Sequence, residues 1–238
     1  MSSRKQQNNH TALGEASNAI VDYYNNIAED YDYSRFENSY GCYIDKQERI
    51  VLDKLNINPA HSLDLPCGTG RFLNYADYGC DASANMLKVA TRNWPNKTLV
   101  CGDAQNLPYE NDTFDVVITM HLLMHLDHNS IQRVVKEVHR VLRANGHWIV
   151  DVPSDKRRKL TFHKRDNWHG SSSMSIADMR SMVTDLFDMN SVHGIMMFPV
   201  HRIPKILRKS LCNIDYHISQ FTPIKEFSSY LIYELWKR

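Results

Sequence analysis

The segment 63–72, LDLPCGTGRF, constrains the fold of this chain more than any other, because an apolar run ends in an acid and then turns through two glycines. Glycine is needed where φ is positive or where a ligand approaches the backbone, and the free N–H groups of a following helix attract an anion. The third glycine of the dinucleotide fingerprint and the lysine of a phosphate loop are missing, which disfavours pyrophosphate and triphosphate ligands. The segment predicts a strand-to-helix turn suited to a ligand with one carboxylate and one ammonium, with Asp64 neutralising the ammonium.

From residue 62 onward, short apolar runs alternate with helical patterns, which is typical of a parallel-sheet α/β unit. The runs predict strands at 62–65, 98–101, 115–120 and 148–152. The clearest helix is expected at 131–142, with Ser130 as its N-cap and Gly146 just beyond its C-terminal end.

The flanking regions predict helices before this unit and mixed elements after it. A disordered polar tail is expected at 1–17, followed by helices at 19–27 and 43–55. The later elements are predicted to be a loop or insertion at 154–168, a helix at 174–186, a strand at 192–198, a helix at 202–211 and a closing strand at 228–236. The closing strand is expected at an added sheet edge.

Length and composition restrict the class of protein. The chain has 238 residues and a formal net charge of +1, which fits one domain with a sizeable core. No apolar run approaches the ~20 residues that span a bilayer, and the polar start lacks the apolar core of a signal peptide, so a cytoplasmic protein is expected. The five cysteines form no C-x-x-C pair, which argues for reduced thiols rather than a disulfide framework or a zinc knuckle.

The charge is unevenly distributed along the chain. Residues 1–150 carry 14 basic and 18 acidic side chains, whereas residues 151–238 carry 14 and 9. The basic excess is densest at 156–159, at 164–165 and at Arg202, Lys205, Arg208 and Lys209. Either this is a solvated surface, or it is a rim that attracts an anionic substrate such as a phosphate, a carboxylate, an RNA backbone or an acidic lipid face.

Two further acids stand where strands of the sheet should end. Asp81 opens the segment DASANML, and its carboxylate can accept both hydroxyls of a ribose, although a helix N-cap is the alternative role. Asp103 directly follows the strand predicted at 98–101 and can accept the exocyclic amine of adenine.

In this order and spacing, the segments around these acids and the stretch 114–125 resemble the class I S-adenosylmethionine-dependent methyltransferases, in the branch that includes the type-11 and ubiquinone-biosynthesis-like domains. The resemblance covers roughly residues 20–152. It implies an α/β fold with a Rossmann-like, doubly wound sheet of seven strands, the last antiparallel, with an N-terminal helical lid and a C-terminal substrate-side insertion. It also implies S-adenosylmethionine as the cofactor.

Carried over by motif, the resemblance assigns a role to each part of the cofactor site. Asp64, Gly68 and Gly70 would hold the methionine part, Asp81 the ribose, Met86 and Ala104 the adenine faces and Asp103 the adenine amine. Pro66, Cys67, Ala82, Ser83 and Met120 complete the expected cofactor-binding set.

Two features depart from the family pattern. Pro66 stands where the loop usually has its first glycine, so this position needs neither a positive φ nor an N–H donor. Gly70 and Asp81 are 11 residues apart, too few for an ordinary helix and strand. Either the first helix is clipped and the second strand vestigial, which the match of D-A-S-x-x-M-L to the family favours, or Asp81 is not the ribose ligand.

The upstream segment 23–32 resembles the N-terminal lid of small-molecule and tRNA-modifying members of this branch. The resemblance makes Tyr24, Tyr31, Arg35 and Tyr40 candidates for contacts with the sulfonium, the carboxylate or the acceptor. A tyrosine ring beside a sulfonium is a cation–π contact. The alternative is that these aromatic residues only pack the N-terminal helices onto the domain.

Two histidines are the candidate catalytic residues. His121 and His125 follow the strand predicted at 115–120, where ligands gather in open α/β sheets, and either could act as a general base. Roles in packing or hydrogen bonding are the alternative. The H-x-x-x-H spacing lacks the glutamate of a zinc helix, so no metal is expected.

The sequence therefore predicts one methyltransferase domain at 18–238, divided into a lid at 18–57, a cofactor core at 58–152 and an acceptor-side part at 153–238. The predicted reaction is in-line methyl transfer to an oxygen or nitrogen of a small-molecule acceptor. An acceptor with an anionic group would be attracted to the basic rim. The alternative is a tRNA or protein methyltransferase that uses the basic stretches 156–165 and 202–209, although a net charge of +1 disfavours nucleic acid. Two further hypotheses are a non-catalytic protein that only binds the cofactor and an enzyme that transfers another part of the cofactor.

Overall fold

One seven-stranded sheet organises the chain. The computed structural model describes residues 19–55, 57–161 and 172–238, and the strands of this part lie in the order β3-β2-β1-β4-β5-β7-β6. Their bounds are β1 (Ser62–Asp64), β2 (Tyr78–Asp81), β3 (Thr98–Cys101), β4 (Phe114–Thr119), β5 (Leu142–Pro153), β6 (Phe187–Ile195) and β7 (Tyr230–Lys237). Strands β1 to β5 pair in parallel, whereas β7 lies antiparallel between β5 and β6. The predicted seven-stranded sheet with an antiparallel last strand is confirmed. The closing strand is not at the sheet edge as expected, because β7 pairs with β5 on one side and with β6, the edge strand, on the other.

Helices cover both faces of this sheet. They are α1 (19–27), α2 (Tyr31–Arg35), α3 (Gly41–Lys54), α4 (Ala84–Asn93), α5 (His128–Val141), α6 (Asp155–Leu160), α7 (Ile176–Val183) and α8 (Lys205–Ser219). Successive side chains of β5 point to opposite faces of the sheet and so into two separate hydrophobic cores. Trp148 packs with α5 and α7, whereas Ile149 packs with Val51 of α3 and Tyr216 of α8. In the described residues, no helix has both the length and the hydropathy that crossing a bilayer requires.

The start of helix α5 and the start of strand β5 differ from the predicted positions. Helix α5 begins at His128 rather than 131, because the Asp127 carboxylate accepts a hydrogen bond from the Ser130 N–H (2.8 Å) and is therefore the N-cap in place of Ser130. The helix passes at Leu142 directly into β5, which begins there instead of at 148. Gly146 consequently lies inside the strand and not beyond the helix.

The short spacing between the glycine loop and Asp81 is accommodated by loss of the first helix. Residues 68–74 form consecutive turns, whereas the four residues of β2 pair with β1 on one side and with β3 on the other. The prediction of a clipped helix is confirmed, but the second strand is not vestigial. Asp81 thus ends a full strand beside the end of β1.

The C-terminal part differs from the prediction at several boundaries. Residues 155–160 form α6 where a loop was expected, because Ser154 caps the helix by accepting from Arg157 N–H (3.2 Å); the predicted loop residues 162–168 lie outside the described residues. Strand β6 occupies 187–195 rather than 192–198, since it pairs along β7 from Lys237 to Tyr230. Helix α8 begins only after Pro204, which lacks an N–H donor, and continues to Ser219.

Gly41, the first residue of α3, lies against the end of α2, where a Cβ would be 2.0 Å from the Arg35 carbonyl oxygen and 2.5 Å from the Phe36 Cα. These are backbone atoms, so an alanine must displace α2. We expect Gly41→Ala to lower the melting temperature by about 5 °C, because such overpacking destabilises by ~1–3 kcal/mol. Cys42→Ala, on the exposed neighbouring residue, is the control in thermal unfolding. Equal melting temperatures for the two variants would contradict this tight packing.

Candidate functional site

A cavity lies at the carboxyl ends of the parallel strands, where open α/β sheets bind ligands. It encloses about 1080 Å³, counted with its open mouth, between the ends of β1, β2 and β4 and the lid helices α1 and α2. The predicted site residues that line it are Tyr24, Tyr31, Pro66, Cys67, Gly68, Asp81, Ala82, Ser83, Met86, Asp103, Ala104, Met120, His121 and His125. One cavity therefore brings most of the predicted cofactor residues together with both histidines.

Three predicted site residues, Arg35, Asp64 and Gly70, are not part of this lining. The Arg35 guanidinium donates a hydrogen bond to the Tyr23 hydroxyl (2.9 Å). Gly70 has a φ of +94°, and a Cβ there would lie 2.6 Å from the Trp94 ring, so glycine is required for packing. Tyr40, also suggested by the lid pattern, lies outside the lining as well.

The Asp81 carboxylate joins the glycine loop to the end of β2. Its two oxygens accept hydrogen bonds from the backbone N–H groups of Gly68 and Ser83, each at 2.8 Å. Burial raises the pKa of Asp81 to about 6, although both hydrogen bonds oppose the shift. Since each carboxylate oxygen has a second lone pair, Asp81 can still accept two hydroxyl groups from the cavity. Ser83, and not Asp81, caps α4.

Asp64 ends β1 as a buried acid without a hydrogen-bond partner on either carboxylate oxygen among the described residues. Burial raises its pKa well above the usual value, and Asp81 adds to the shift while Arg71 opposes it. A buried carboxylate of this kind is costly unless a cation or donor satisfies it. The unsatisfied acid therefore fits a ligand that brings an ammonium group.

The backbone beside Asp64 also leaves space for a ligand. Gly68 has a φ of +52°, and no atom lies within 4 Å of the position that a Cβ would occupy. Together with the Asp81 carboxylate and the buried Met86 side chain, this open loop fits the amino-acid, ribose and adenine parts of the predicted cofactor.

The lid is held over the cavity by polar contacts that sequence reasoning did not identify. The Asn25 side chain accepts hydrogen bonds from the Ser83 hydroxyl (2.7 Å) and the Asn85 N–H (3.2 Å), which fastens α1 to the start of α4. The Thr69 hydroxyl donates to the Asp32 carboxylate (2.7 Å), which fastens α2 to the glycine loop. The lid is thus closed onto the two segments that carry the predicted cofactor residues.

Tyr24 and His125 form a polar pair on the lid side of the cavity. The Tyr24 hydroxyl lies 3.1 Å from His125 Nε2, and the Tyr31 ring packs edge-on against Tyr24 with centroids 5.9 Å apart. Burial raises the pKa of the Tyr24 hydroxyl, so it remains protonated at neutral pH. A hydroxyl and an imidazole in contact can hold or pass a proton at this wall.

His121 has a different environment. Its Nε2 lies 2.6 Å from Glu48 Oε1 and its Nδ1 lies 3.4 Å from Asp151 Oδ2, while its backbone N–H, at a φ of +58°, donates to Asp151 (2.7 Å). Burial disfavours the charged imidazole, but the two carboxylates outweigh it and raise the pKa of His121. This geometry favours the charged form of the His121 imidazole.

Arg71 completes this buried charge network. Its guanidinium contacts Glu48 (2.5 Å) and Asp45 (2.9 Å) and lies between the rings of Phe36 and Phe72, 4.0 and 3.9 Å from their centroids. Burial of Glu48 is outweighed by Arg71 and by His121, so the pKa of Glu48 is lowered to about 2.

The carboxylates of this network raise the question of a metal ion. Ligand atoms of Glu48, His121 and Asp151 lie within 4.8 Å of one another. Glu48 is already paired with Arg71, and both ring nitrogens of His121 face carboxylates. These contacts place the positive charges of Arg71 and His121 beside the carboxylates, whereas a metal ion would need the neutral form of the imidazole.

Comparison with known proteins agrees with this geometry. The family model described as a methyltransferase domain matches residues 63–150. A demethylmenaquinone methyltransferase of Thermotoga maritima is 29% identical over 145 residues, 58% of this chain and 62% of that protein. An uncharacterised protein of Methanocaldococcus jannaschii is 35% identical over 136 residues, 56% of this chain and 51% of that protein. The chain thus spans about half to three fifths of the length of these relatives.

The solved structures support the fold. A Thermotoga maritima SAM-dependent methyltransferase, described as a possible histamine N-methyltransferase, superposes with a TM-score of 0.66. The match has 16% identity and covers 90% of this chain and 98% of that one. Residues 63–150 thus match a methyltransferase-domain family, and the chain has the fold of the S-adenosylmethionine-dependent methyltransferase on which it superposes. Both findings support the predicted family and its cofactor class.

The unsatisfied Asp64 carboxylate predicts opposite effects on stability and on ligand binding. Its pKa is higher in the folded chain than in the unfolded chain, so it destabilises the fold at pH values above both. We expect Asp64→Asn to raise the melting temperature of the ligand-free chain at pH 7 by about 2–4 °C, equivalent to ~1 kcal/mol. The same change should weaken S-adenosylhomocysteine binding at least about 10-fold through loss of the ammonium partner.

Thermal unfolding and calorimetric titration measure the two effects, with Asp185→Asn on an exposed acid as the control. A lower melting temperature together with unchanged affinity would show that Asp64 has a purely structural role.

Proposed function

We propose that this chain transfers a methyl group from S-adenosylmethionine to an oxygen or nitrogen of a small-molecule acceptor. The observation that carries the proposal is that one cavity contains both the hydrogen-bonded Gly68 and Asp81 and the Tyr24–His125 pair. When bound, the cofactor supplies an electrophilic methyl group on a sulfonium. The residues of the chain then have to align the acceptor in line with it and exclude water.

The cofactor end of the cavity has a suitable donor or acceptor for each part of the molecule. The Asp64 carboxylate would face the ammonium, and the loop around Gly68 would receive the carboxylate. Asp81 would accept the ribose hydroxyls, while Met86 and Ala104 would pack on the adenine and Asp103 would accept its amine. Exposed Asp103 already accepts a hydrogen bond from Gln105 N–H (2.9 Å), which fixes the orientation of its side chain.

The acceptor end favours an apolar, ring-containing molecule. Its lining includes Ile20 and Val21 of the lid, the Phe36 ring, and Leu122 and Leu126 beyond β4. Such walls bind by burial of apolar surface, and a few polar groups then set the orientation. The name of the related demethylmenaquinone methyltransferase, an enzyme for a ring-containing acceptor, supports the same substrate class.

His125 is the better supported of the two candidate bases. A base must be neutral to accept a proton, whereas the carboxylates of Glu48 and Asp151 favour the charged form of His121. His125 contacts the Tyr24 hydroxyl at the cavity wall, where its ring would accept a proton from an acceptor hydroxyl or ammonium. His121 would instead keep a fixed positive charge beside the acceptor, which would favour an anionic nucleophile.

The basic stretch 156–165 gives little support to a tRNA or protein substrate. Lys156 is paired with Glu226, and Lys159 with Asp155 (2.6 Å), so these cations are partly neutralised within the chain. Residues 164–165 lie outside the described residues. We further propose the division into a lid at 18–57, a cofactor core at 58–152 and an acceptor-side part at 153–238, in a cytosolic protein.

The reaction is tested by incubating the full chain with methyl-labelled S-adenosylmethionine and a panel of phenols and quinols, aromatic amines and total tRNA. We expect label in a small ring-containing acceptor, with one S-adenosylhomocysteine formed for each methyl group transferred. Label confined to tRNA would support the alternative substrate class. Cofactor binding without transfer to any member of the panel would contradict the proposed acceptor class.

The role of His125 predicts a specific kinetic change with the acceptor found in that panel. His125→Asn should lower kcat by at least about 100-fold, the range of general base catalysis, with little change in the KM for the cofactor. His201→Asn, on an exposed histidine outside the cavity, is the control in steady-state kinetics. A wild-type kcat for His125→Asn would contradict a role in proton transfer.

A further inference from the structure

Helix α8 exposes more large apolar side chains than a surface helix normally does. Ile206 is 85% exposed, Ile214 52% and Ile218 36%, and Phe221 just beyond the helix is 63% exposed. Positions 206, 210, 214 and 218 are four residues apart and therefore lie along one face. We call Ile206, Ile214, Ile218 and Phe221 the α8 stripe.

The stripe belongs to a firmly anchored helix. On the opposite face, Asp215 accepts hydrogen bonds from the Tyr43 hydroxyl (2.8 Å) and the Gln47 amide (3.2 Å), and Cys212 and Tyr216 are buried in the core. The helix thus has one face fixed in the fold and one apolar face directed outward, and an exposed apolar patch of this kind marks an interaction surface.

The charges near the start of the stripe are positive. Between residues 189 and 214 the chain has no aspartate or glutamate but carries Arg202, Lys205, Arg208 and Lys209. Arg202, Lys205 and Lys209 are exposed, and within the described residues they form no ion pair or side-chain hydrogen bond. The three cations are therefore available to an anionic partner.

This surface continues to the segment beside the cavity mouth. The Arg208 guanidinium donates to the Ser39 hydroxyl (2.8 Å), which joins the start of α8 to residues 36–40. Tyr40 is 41% exposed there, and Phe36 of the same segment lines the cavity. A partner bound along α8 would therefore lie close to a segment that lines the cavity.

We propose that the outer face of α8 docks on an anionic lipid bilayer, with the α8 stripe in the acyl boundary and Arg202, Lys205 and Lys209 at the headgroups. An apolar face flanked by lysine and arginine is the pattern of helices that lie in a membrane interface. RNA would match the cations but leave the isoleucines in water. A second copy of this face would oppose cations to cations across a twofold axis. The proposal does not depend on the methyl-transfer reaction.

The test is flotation of the full chain with vesicles of phosphatidylcholine alone or with one quarter phosphatidylglycerol. We expect at least about 10-fold stronger binding to the anionic vesicles, reduced by 0.5 M salt. Lys205→Glu/Lys209→Glu should weaken binding at least about 30-fold, since each cation contributes about 1 kcal/mol, or about fivefold, to membrane binding. Ile206→Ser/Ile214→Ser should weaken it at least about 10-fold.

The matched controls are Lys88→Glu, at an exposed position of α4, and Leu160→Ser on α6, where the leucine is 58% exposed. Both variants should bind vesicles as the wild type does. Unchanged S-adenosylhomocysteine affinity would show that all four variants are folded. Absent binding, equal binding to both vesicle types, or equal losses in the controls would overturn the proposal. The proposal would also be overturned if the α8 variants lost tRNA binding or dimer formation and not vesicle binding.

Discussion

The hydrogen bonds of the Asp81 carboxylate are the interaction on which the rest of the cavity depends. By accepting from Gly68 and Ser83, this side chain fixes the glycine loop against the end of β2 and sets the start of α4. Ser83 then holds Asn25 of the lid, and the lid carries Tyr24 to His125. One buried carboxylate therefore organises the loop, the helix cap and the closed lid in sequence.

Buried charge is concentrated in this site, and it is balanced unequally. Opposite charges on Arg71 and His121 balance Glu48, although its Oε1 makes no hydrogen bond. Asp64 makes no hydrogen bond through either oxygen and has no ion pair among the described residues. Buried unpaired charge is unfavourable for folding and is retained where a ligand supplies the missing partner. The contrast distinguishes residues that shape the cavity from a residue prepared for a ligand.

Local pattern predicted well which residues lie together at the ends of β1, β2 and β4, because they follow directly after strands in a fixed order. Strand 98–101 and the clipped helix before Asp81 could be inferred from spacing alone. Glu48 could not be assigned, since its partner His121 is remote in sequence and only the folded chain brings them together. The signal available was a glutamate on the apolar face of the predicted helix 43–55. Boundaries also shifted where capping by Asp127 or pairing with β7 outweighed periodicity.

We infer that Asp81 organises a binding site for S-adenosylmethionine. The most direct test is calorimetric titration of the full chain with S-adenosylhomocysteine, the product form of the cofactor, in parallel with Asp81→Ala and with Asp178→Ala as a remote control. We expect a Kd on the order of micromolar for the wild type and the control, and loss of binding in Asp81→Ala. Equal affinity in all three proteins, or no binding by the wild type, would contradict it.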